Sequence, residues 1–268
     1  MNSVLLHVLI LLAVVAVALG LLWLLRKLGV SLAPLPGAGV FGFIGAAFGV
    51  VVGLTVFFAS QHYTAVNTAA QEEATQLATI DAVSGAFPAR AGSLLRRDLY
   101  CYVTDVIHDE WPAMGSGDDR GSPKVDARLD ALYGDLVRVG RPNVPEPTYW
   151  YSSAVTAGVT AGQDRGHRLL LGARAQIPDA LWELIYVGAA LMVVFAVFFH
   201  LGGRRQLVWM TVAVIIMLTA LTGVLAALDH PTERPFGLGP RAMRVLQARL
   251  SEGLGFPSPT LPSSAAKC

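Results

Sequence analysis

Four stretches of this chain are apolar almost without a break, and they set its architecture before any motif is considered. Residues 4–25 hold only His7 among aliphatic and aromatic side chains, and the run closes on Arg26-Lys27. Residues 40–59, VFGFIGAAFGVVVGLTVFFA, form the second run, and residues 181–201 and 207–228 form the third and fourth. Each matches the roughly 20 residues an α-helix needs to cross the hydrocarbon of a bilayer. The opening MNS carries no basic residue and the first apolar core is long for a cleavable leader, so the first run reads as a retained anchor. GGRRQ between the last two runs leaves room only for a tight turn. The expected membrane part is therefore two helical hairpins, residues 1–59 and residues 178–229.

Between them, residues 60–177 have ordinary polarity and a helical period. Val66, Ala70, Leu77, Ile80 and Val83 fall near an a/d repeat, which predicts that the second span runs on as one long helix. Pro88 breaks it. The next helix, residues 89–110, puts Leu95, Leu99, Tyr102 and Val106 on one stripe, and Pro112 is its expected stop. GSGDDRGSP (115–123) reads as a loop, and Ser122-Pro123 as the start of a helix carrying Val125, Leu129, Leu132 and Leu136. RPNVPEP is a further break, and a last helix from about Thr148 to Ala175 leads to the third span. Residues 230–268 form a tail with one short amphipathic helix, which either lies on a membrane surface or caps the middle domain, and a disordered end. No alternating strand pattern of useful length occurs. The fold class is all-α: four transmembrane helices in two hairpins, with a helical extramembrane domain inserted between them.

Composition agrees with that picture. Only 15% of residues are charged, 54% are hydrophobic and the mean hydropathy is +0.53, against roughly a quarter charged in soluble domains. A net charge of +1 implies no nucleic acid or other polyanion as partner. Cys101 and Cys268, with no CxxC pair, exclude a disulfide scaffold and a zinc ribbon. Arg26, Lys27, Arg204 and Arg205 in the short loops, with no acidic residue beside them, place those loops in the cytoplasm. The amino terminus, middle domain and tail then lie outside the cell membrane. Arg234, Arg241, Arg244 and Arg249 after the fourth span pull the other way.

No P-loop, HExxH, GxSxG or dinucleotide fingerprint is present, so neither an enzyme nor a cofactor is expected. His7, Glu183 and His200 fall near span ends, and no charge sits at mid-bilayer, which argues against a proton pump or ion-coupled transporter.

Several segments together carry a resemblance. QEEATQLATIDA (71–82) is followed by FPARAGSLLRRDLYCYVTDVIHDEWPAM (87–114). SPKVDARLDALYGDLVRV, RLLLGARAQIPDALWELIYVGAAL and LAALDHP…GLGPRAMRVLQARL then come in order. In this arrangement the chain resembles a bacterial bestrophin-like membrane family of unknown function, from the second span to the tail helix. Glu110, Trp111 and Pro112 form its most specific motif, with Pro178 and Trp182, and then Asp229, His230 and Pro231. The resemblance implies a homo-oligomeric ion channel with a pore on the symmetry axis. It also implies a middle domain in the cytoplasm, opposite to the charge bias. The chain departs from the family where TER separates Pro231 from Pro235-Phe236.

Three groups of residues carry candidate chemistry. Asp105, His108 and Asp109, at i, i+3 and i+4, share a helix face and could ligate a metal. Alternatively they are a solvated or salt-bridged helix end, where Asp109 and Glu110 oppose the helix dipole and call for a partner such as Arg96, Arg97 or a cation. Gly45, Gly49 and Gly53 form a tandem GxxxG. That stripe serves either packing within the chain or self-association around an axis. Phe41, Phe48 and Phe57-Phe58 beside it could build an apolar constriction that gates by dewetting. Trp111 is either an interfacial anchor or a core residue, and Asp229-His230-Pro231 is a helix stop in which His230 could sense pH. The leading function is an oligomeric bestrophin-like ion channel in a lipid bilayer. The alternative is a membrane-anchored structural or sensory module whose helical domain binds another protein.

Overall fold

The computed structural model describes residues 3–28, 38–139, 148–198, 204–233, 237–254 and 268. The expected break at 141–147, His200, the first two residues of GGRRQ (202–203), the Pro235-Phe236 pair and the tail at 255–267 lie outside the described residues, as does the side chain of Phe41. Helices in chain order are α1 (Ser3–Lys27), α2 (Ala38–Ser84), α3 (Ala89–Asp105), a π-helical turn (Val106–Glu110), α4 (Trp111–Gly115), α5 (Pro123–Val139), α6 (Thr148–Ala173), α7 (Asp179–Phe198), α8 (Arg204–Asp229) and α9 (Arg241–Leu254). No strand occurs among the described residues, so the fold is all-α as the periodicity predicts. The four apolar runs are four helices long and apolar enough to cross a membrane.

The chain forms two compact units. Residues 1–63 and 175–230 make the first, built from α1, the first half of α2, α7 and α8. Leu11 and Val15 of α1, Ala189 and Val193 of α7, and Leu218 of α8 form one buried cluster. Val52 and Ala59 of α2 join Ile177, Trp182, Ile185 and Leu225 in a second. The outer faces are equally apolar, with Leu5, Phe43, Leu54, Phe58 and Ile216 exposed. A helix that is hydrophobic all round belongs in lipid, and the exposed apolar surface of this unit requires one. Phe48 seats its ring against Gly188 of α7, where a side-chain carbon on residue 188 would collide with it.

The second unit comprises residues 64–174 and 231–268, and its core gathers α2 (through Leu77 and Ile80), α3, α5, α6 and α9. Met243, Leu246 and Leu250 of α9 are buried in that core and α9 packs on α3. Of the two expectations for the amphipathic tail helix, the structure thus realises the cap, and the helix is part of this unit. The two cysteines, which lack a local partner motif, are joined to each other as a Cys101–Cys268 disulfide.

Pro112 does not stop its helix. The backbone switches to a π-turn at Val106, the Trp111 N–H reaches back to the Val106 carbonyl, and α4 continues through Pro112 to Gly115. One extra residue in the turn changes the hydrogen-bond register, so a residue without an N–H is accommodated instead of breaking the helix.

Candidate functional site

The second unit carries a buried ionic core made by four helical elements. Arg165 and Arg168 stand one turn apart on α6, Glu73 comes from α2, Tyr102 from α3, and Glu110 ends the π-turn. Glu73, Glu110 and Arg168 are completely inaccessible, and Arg165 is nearly so. Arg168 donates through Nε to Glu73 Oε2 at 2.6 Å, and through Nη2 to Glu110 Oε1 at 2.6 Å and Glu73 Oε1 at 3.3 Å. Arg165 grips Glu110 with Nε and Nη2, the latter at 2.5 Å from Oε2, and reaches Asp126 of α5 with Nη1 at 2.7 Å. Tyr102 Oη donates to Glu73 Oε1 at 2.6 Å, and the Ser122 backbone N–H donates to Glu110 Oε2 at 3.1 Å.

The two carboxylates and two guanidiniums balance, and nearly every lone pair and N–H has a partner. That is the condition under which buried charge survives a low dielectric. Burial pushes the Glu110 carboxyl up, but the Arg165 and Arg168 guanidiniums outweigh it and hold the group below its ordinary value. Burial and then the Glu73 charge push the Tyr102 hydroxyl well up, so it stays a donor. Gly121, at φ 78°, belongs to the same design. A side-chain carbon there would sit 2.9 Å from Arg165 Nη2 and 3.3 Å from Glu110 Oε2, so only glycine lets the 115–123 loop close over the core.

Trp111 resolves to the core alternative. It is buried, its indole Nε1 donates to the Leu238 carbonyl at 2.9 Å, and the Arg168 guanidinium lies 5.5 Å from its ring centre. An open cleft of about 770 Å³ borders it, lined by Trp111, Pro112, Thr232, Leu238, Pro240 and Arg244.

The helix face proposed for metal is instead paired with cations of the next helix. Asp105 is buried, with Oδ1 at 2.6 Å from Lys124 Nζ and Oδ2 at 3.0 Å from Arg128 Nε, and Asp109 Oδ2 lies 2.8 Å from the same Lys124. Both partners come from α5 rather than from Arg96 or Arg97, and Arg96 pairs with Asp81 at 3.0 Å. His108 is exposed and falls within the π-turn, which breaks the i, i+3, i+4 spacing on which a shared ligand face depends.

In the first unit one motif carboxylate, Asp229, gathers motif residue Trp182 and the backbone just before Pro178. Asp229, 1% exposed at the end of α8, accepts the Gln176 and Ile177 N–H groups on Oδ1 at 2.8 and 2.7 Å and Trp182 Nε1 on Oδ2 at 3.2 Å. Pro178 accepts the Leu181 and Trp182 N–H groups at the first turn of α7. Asp229 therefore clamps the start of one membrane helix to the end of another, a role beyond that of a helix stop.

The glycine stripe of α2 divides. Gly45 meets Met192, 3.7 Å from where a side-chain carbon would stand, whereas no other described residue lies within 4 Å of such a carbon at Gly49 or Gly53. Phe48 lies within the bundle against Gly188 rather than beside that open face, and Phe57 and Phe58 are exposed.

Residues 8–243 match the family model of the Bestrophin-like domain. No curated protein matches the chain. Among solved structures, a bacterial Bestrophin homolog from Klebsiella pneumoniae carrying a point mutation is similar at a TM-score of 0.66 and 14% identity, over 92% of this chain and 97% of that one. Another mutant of the Klebsiella pneumoniae homolog gives 0.67 and 14% over 94% and 98%. A structure described as a membrane protein gives 0.67 and 14% over 95% and 98%. At this identity the likeness is one of fold.

Proposed function

Because the chain belongs to the bestrophin-like domain family, we propose that it assembles with copies of itself into an ion channel of the cell membrane. The observation that carries this beyond the family is the open glycine face of α2. Gly49 and Gly53 offer a flat, uncovered strip on a helix long enough to span a bilayer. In lipid, helices associate through close backbone approach, and small residues permit it. Absence of charge from residues 42–59 of α2 suits an apolar passage that conducts when wetted. The test is reconstitution of the full chain into liposomes, with its mass measured in detergent. The reading expects a complex several times the 28.4 kDa protomer and ion flux above protein-free vesicles. A monomer without flux overturns it, and an oligomer without flux favours a structural or sensory module.

We further propose that the helical unit faces the oxidising side of the membrane. Two observations support this: the basic short loops, and a disulfide within the unit between the chain's two cysteines. Such bonds persist outside the cytosol and are rare within it. Thiol labelling of denatured, unreduced protein from intact cells is then negative. It becomes positive at both cysteines after a membrane-impermeant reductant is applied to the cells. Free thiols in untreated cells, or bonds reduced only after lysis, would place the unit in the cytoplasm as the family resemblance implies.

A further inference from the structure

The first turns of α1 and the end of α8 bring together three side chains that ligate metals. His7, Asp229 and His230 each offer one ligand atom, and these atoms lie within 4.8 Å of one another. We propose that they form a binding site for a divalent transition-metal cation. All three belong to the first unit, and the site stands or falls independently of channel activity.

The surroundings are those of a built site. His7 Nδ1 is 2.5 Å from Tyr186 Oη, a hydrogen bond whose direction follows the tautomer, and in the tautomer protonated at Nδ1 the basic nitrogen is Nε2. An outer hydrogen bond of this kind fixes the tautomer and orientation of metal-binding histidines. The Trp182 ring stacks on His7 at 3.9 Å and 13° and also donates to Asp229 Oδ2, so one indole positions two of the three ligands. Asp229 Oδ1 is held by the Gln176 and Ile177 amides, which leaves Oδ2 as the oxygen turned toward His230.

His230 Nε2 stands 3.9 Å from that oxygen, too far for a hydrogen bond. Two ligand atoms on one tetrahedral zinc stand about 3.4 Å apart, so closing the site takes shifts of about 1 Å. His230 is 30% exposed at its side chain, which leaves an approach from solvent and room for a water or anion as a further ligand. Two imidazoles and one carboxylate suit zinc, cobalt, nickel or copper and are too nitrogen-rich and too few for calcium or magnesium.

The test uses full-length protein in detergent, with any affinity tag removed, titrated with cobalt and then displaced by zinc. One cobalt per chain is expected, with visible ligand-field absorption. Tyr186→Phe, which removes only the outer hydrogen bond, weakens binding about 10–100-fold. His230→Ala and His7→Phe weaken it at least as much, and the phenyl ring keeps the stack on Trp182. Absence of saturable binding, or binding unchanged by His230→Ala and His7→Phe, overturns the proposal. Should a variant fail to fold, X-ray absorption of the zinc-loaded wild-type chain decides: two imidazoles in the first shell uphold the site and none overturns it.

Discussion

Replacing Arg168 with Met tests the ionic core most directly. The substitution keeps much of the volume and removes a guanidinium that is 0% exposed. Glu73 then loses both of its bonds to Arg168 and keeps only the Tyr102 hydroxyl, while Glu110 retains Arg165 and the Ser122 amide. The stranded charge is thus Glu73. Breaking one partner from a buried pair costs about 3–5 kcal/mol, or more than two decades in the unfolding equilibrium at about 1.36 kcal/mol per decade. Removing that charge as well, in Glu73→Met with Arg168→Met, leaves the neutral Glu110–Arg165 pair in an apolar setting. The double variant should cost only about 1–3 kcal/mol, because buried ion pairs often exchange for well-packed apolar groups at little net cost while the buried Tyr102 hydroxyl loses its acceptor. Denaturant unfolding of the full chain in non-ionic detergent, followed by tryptophan fluorescence, measures all four corners of the cycle. A cost below about 1 kcal/mol for Arg168→Met, or a double variant as unstable as the single, refutes the assignment of Glu73 as the stranded group.

Four further outcomes are expected. Burial, then a shared hydrogen bond and repulsion with Asp135, raise the Asp98 carboxyl to about 7. Its folded value exceeds its unfolded value, so its contribution is fully present below the unfolded pKa of about 4 and is lost as pH rises toward 7. Glu110 has the opposite sign, its contribution present above its unfolded pKa and lost as pH falls through the depressed folded value, and Asp98→Asn should flatten only the neutral-side slope of thermal unfolding. Gly188→Ile collides with Phe48 and should lower stability by about 1–3 kcal/mol. A side-chain carbon at Gly53 meets no other described residue within 4 Å, so Gly53→Ala should leave monomer unfolding nearly unchanged while weakening self-association on a gel-filtration dilution series. Asp229→Ala leaves three buried or half-buried N–H donors without their acceptor and should cost about 3 kcal/mol, read as a lowered Tm; an unchanged Tm would remove the clamp.

The membrane helices were legible because length and apolarity alone specify them. The all-α middle unit was legible from its periodic stripes. The ionic core was not, although its signal lies within those same stripes. Glu73 occupies the position between Ala70 and Leu77 where the a/d repeat of α2 asks for an apolar residue, and Glu110 comes one turn after Val106 on the buried stripe of α3. Arg165 and Arg168 lie on the buried face of α6 marked by Ala154, Ala157 and Ala161. Charges of both signs at core positions of several helices indicate that they meet, yet pairing across 95 residues is a tertiary fact. The π-turn was illegible for a different reason: a proline normally terminates a helix, and only packing decides when the backbone shifts register instead. His7 is visible in the sequence as a lone polar residue near a span end, but its partners, Tyr186 and Asp229, are brought to it only by the packing of α1 on α7 and α8.

The Cys101–Cys268 bond has a topological consequence. It joins positions 167 residues apart, and α7 and α8 both fall between them. Two helices long and apolar enough to cross a membrane are therefore strung on a covalent ring whose closing bond lies within the helical unit. A single cut anywhere on that ring leaves one molecule rather than two. Protease nicking between residues 102 and 267 is then silent on an unreduced gel and visible once the bond is reduced.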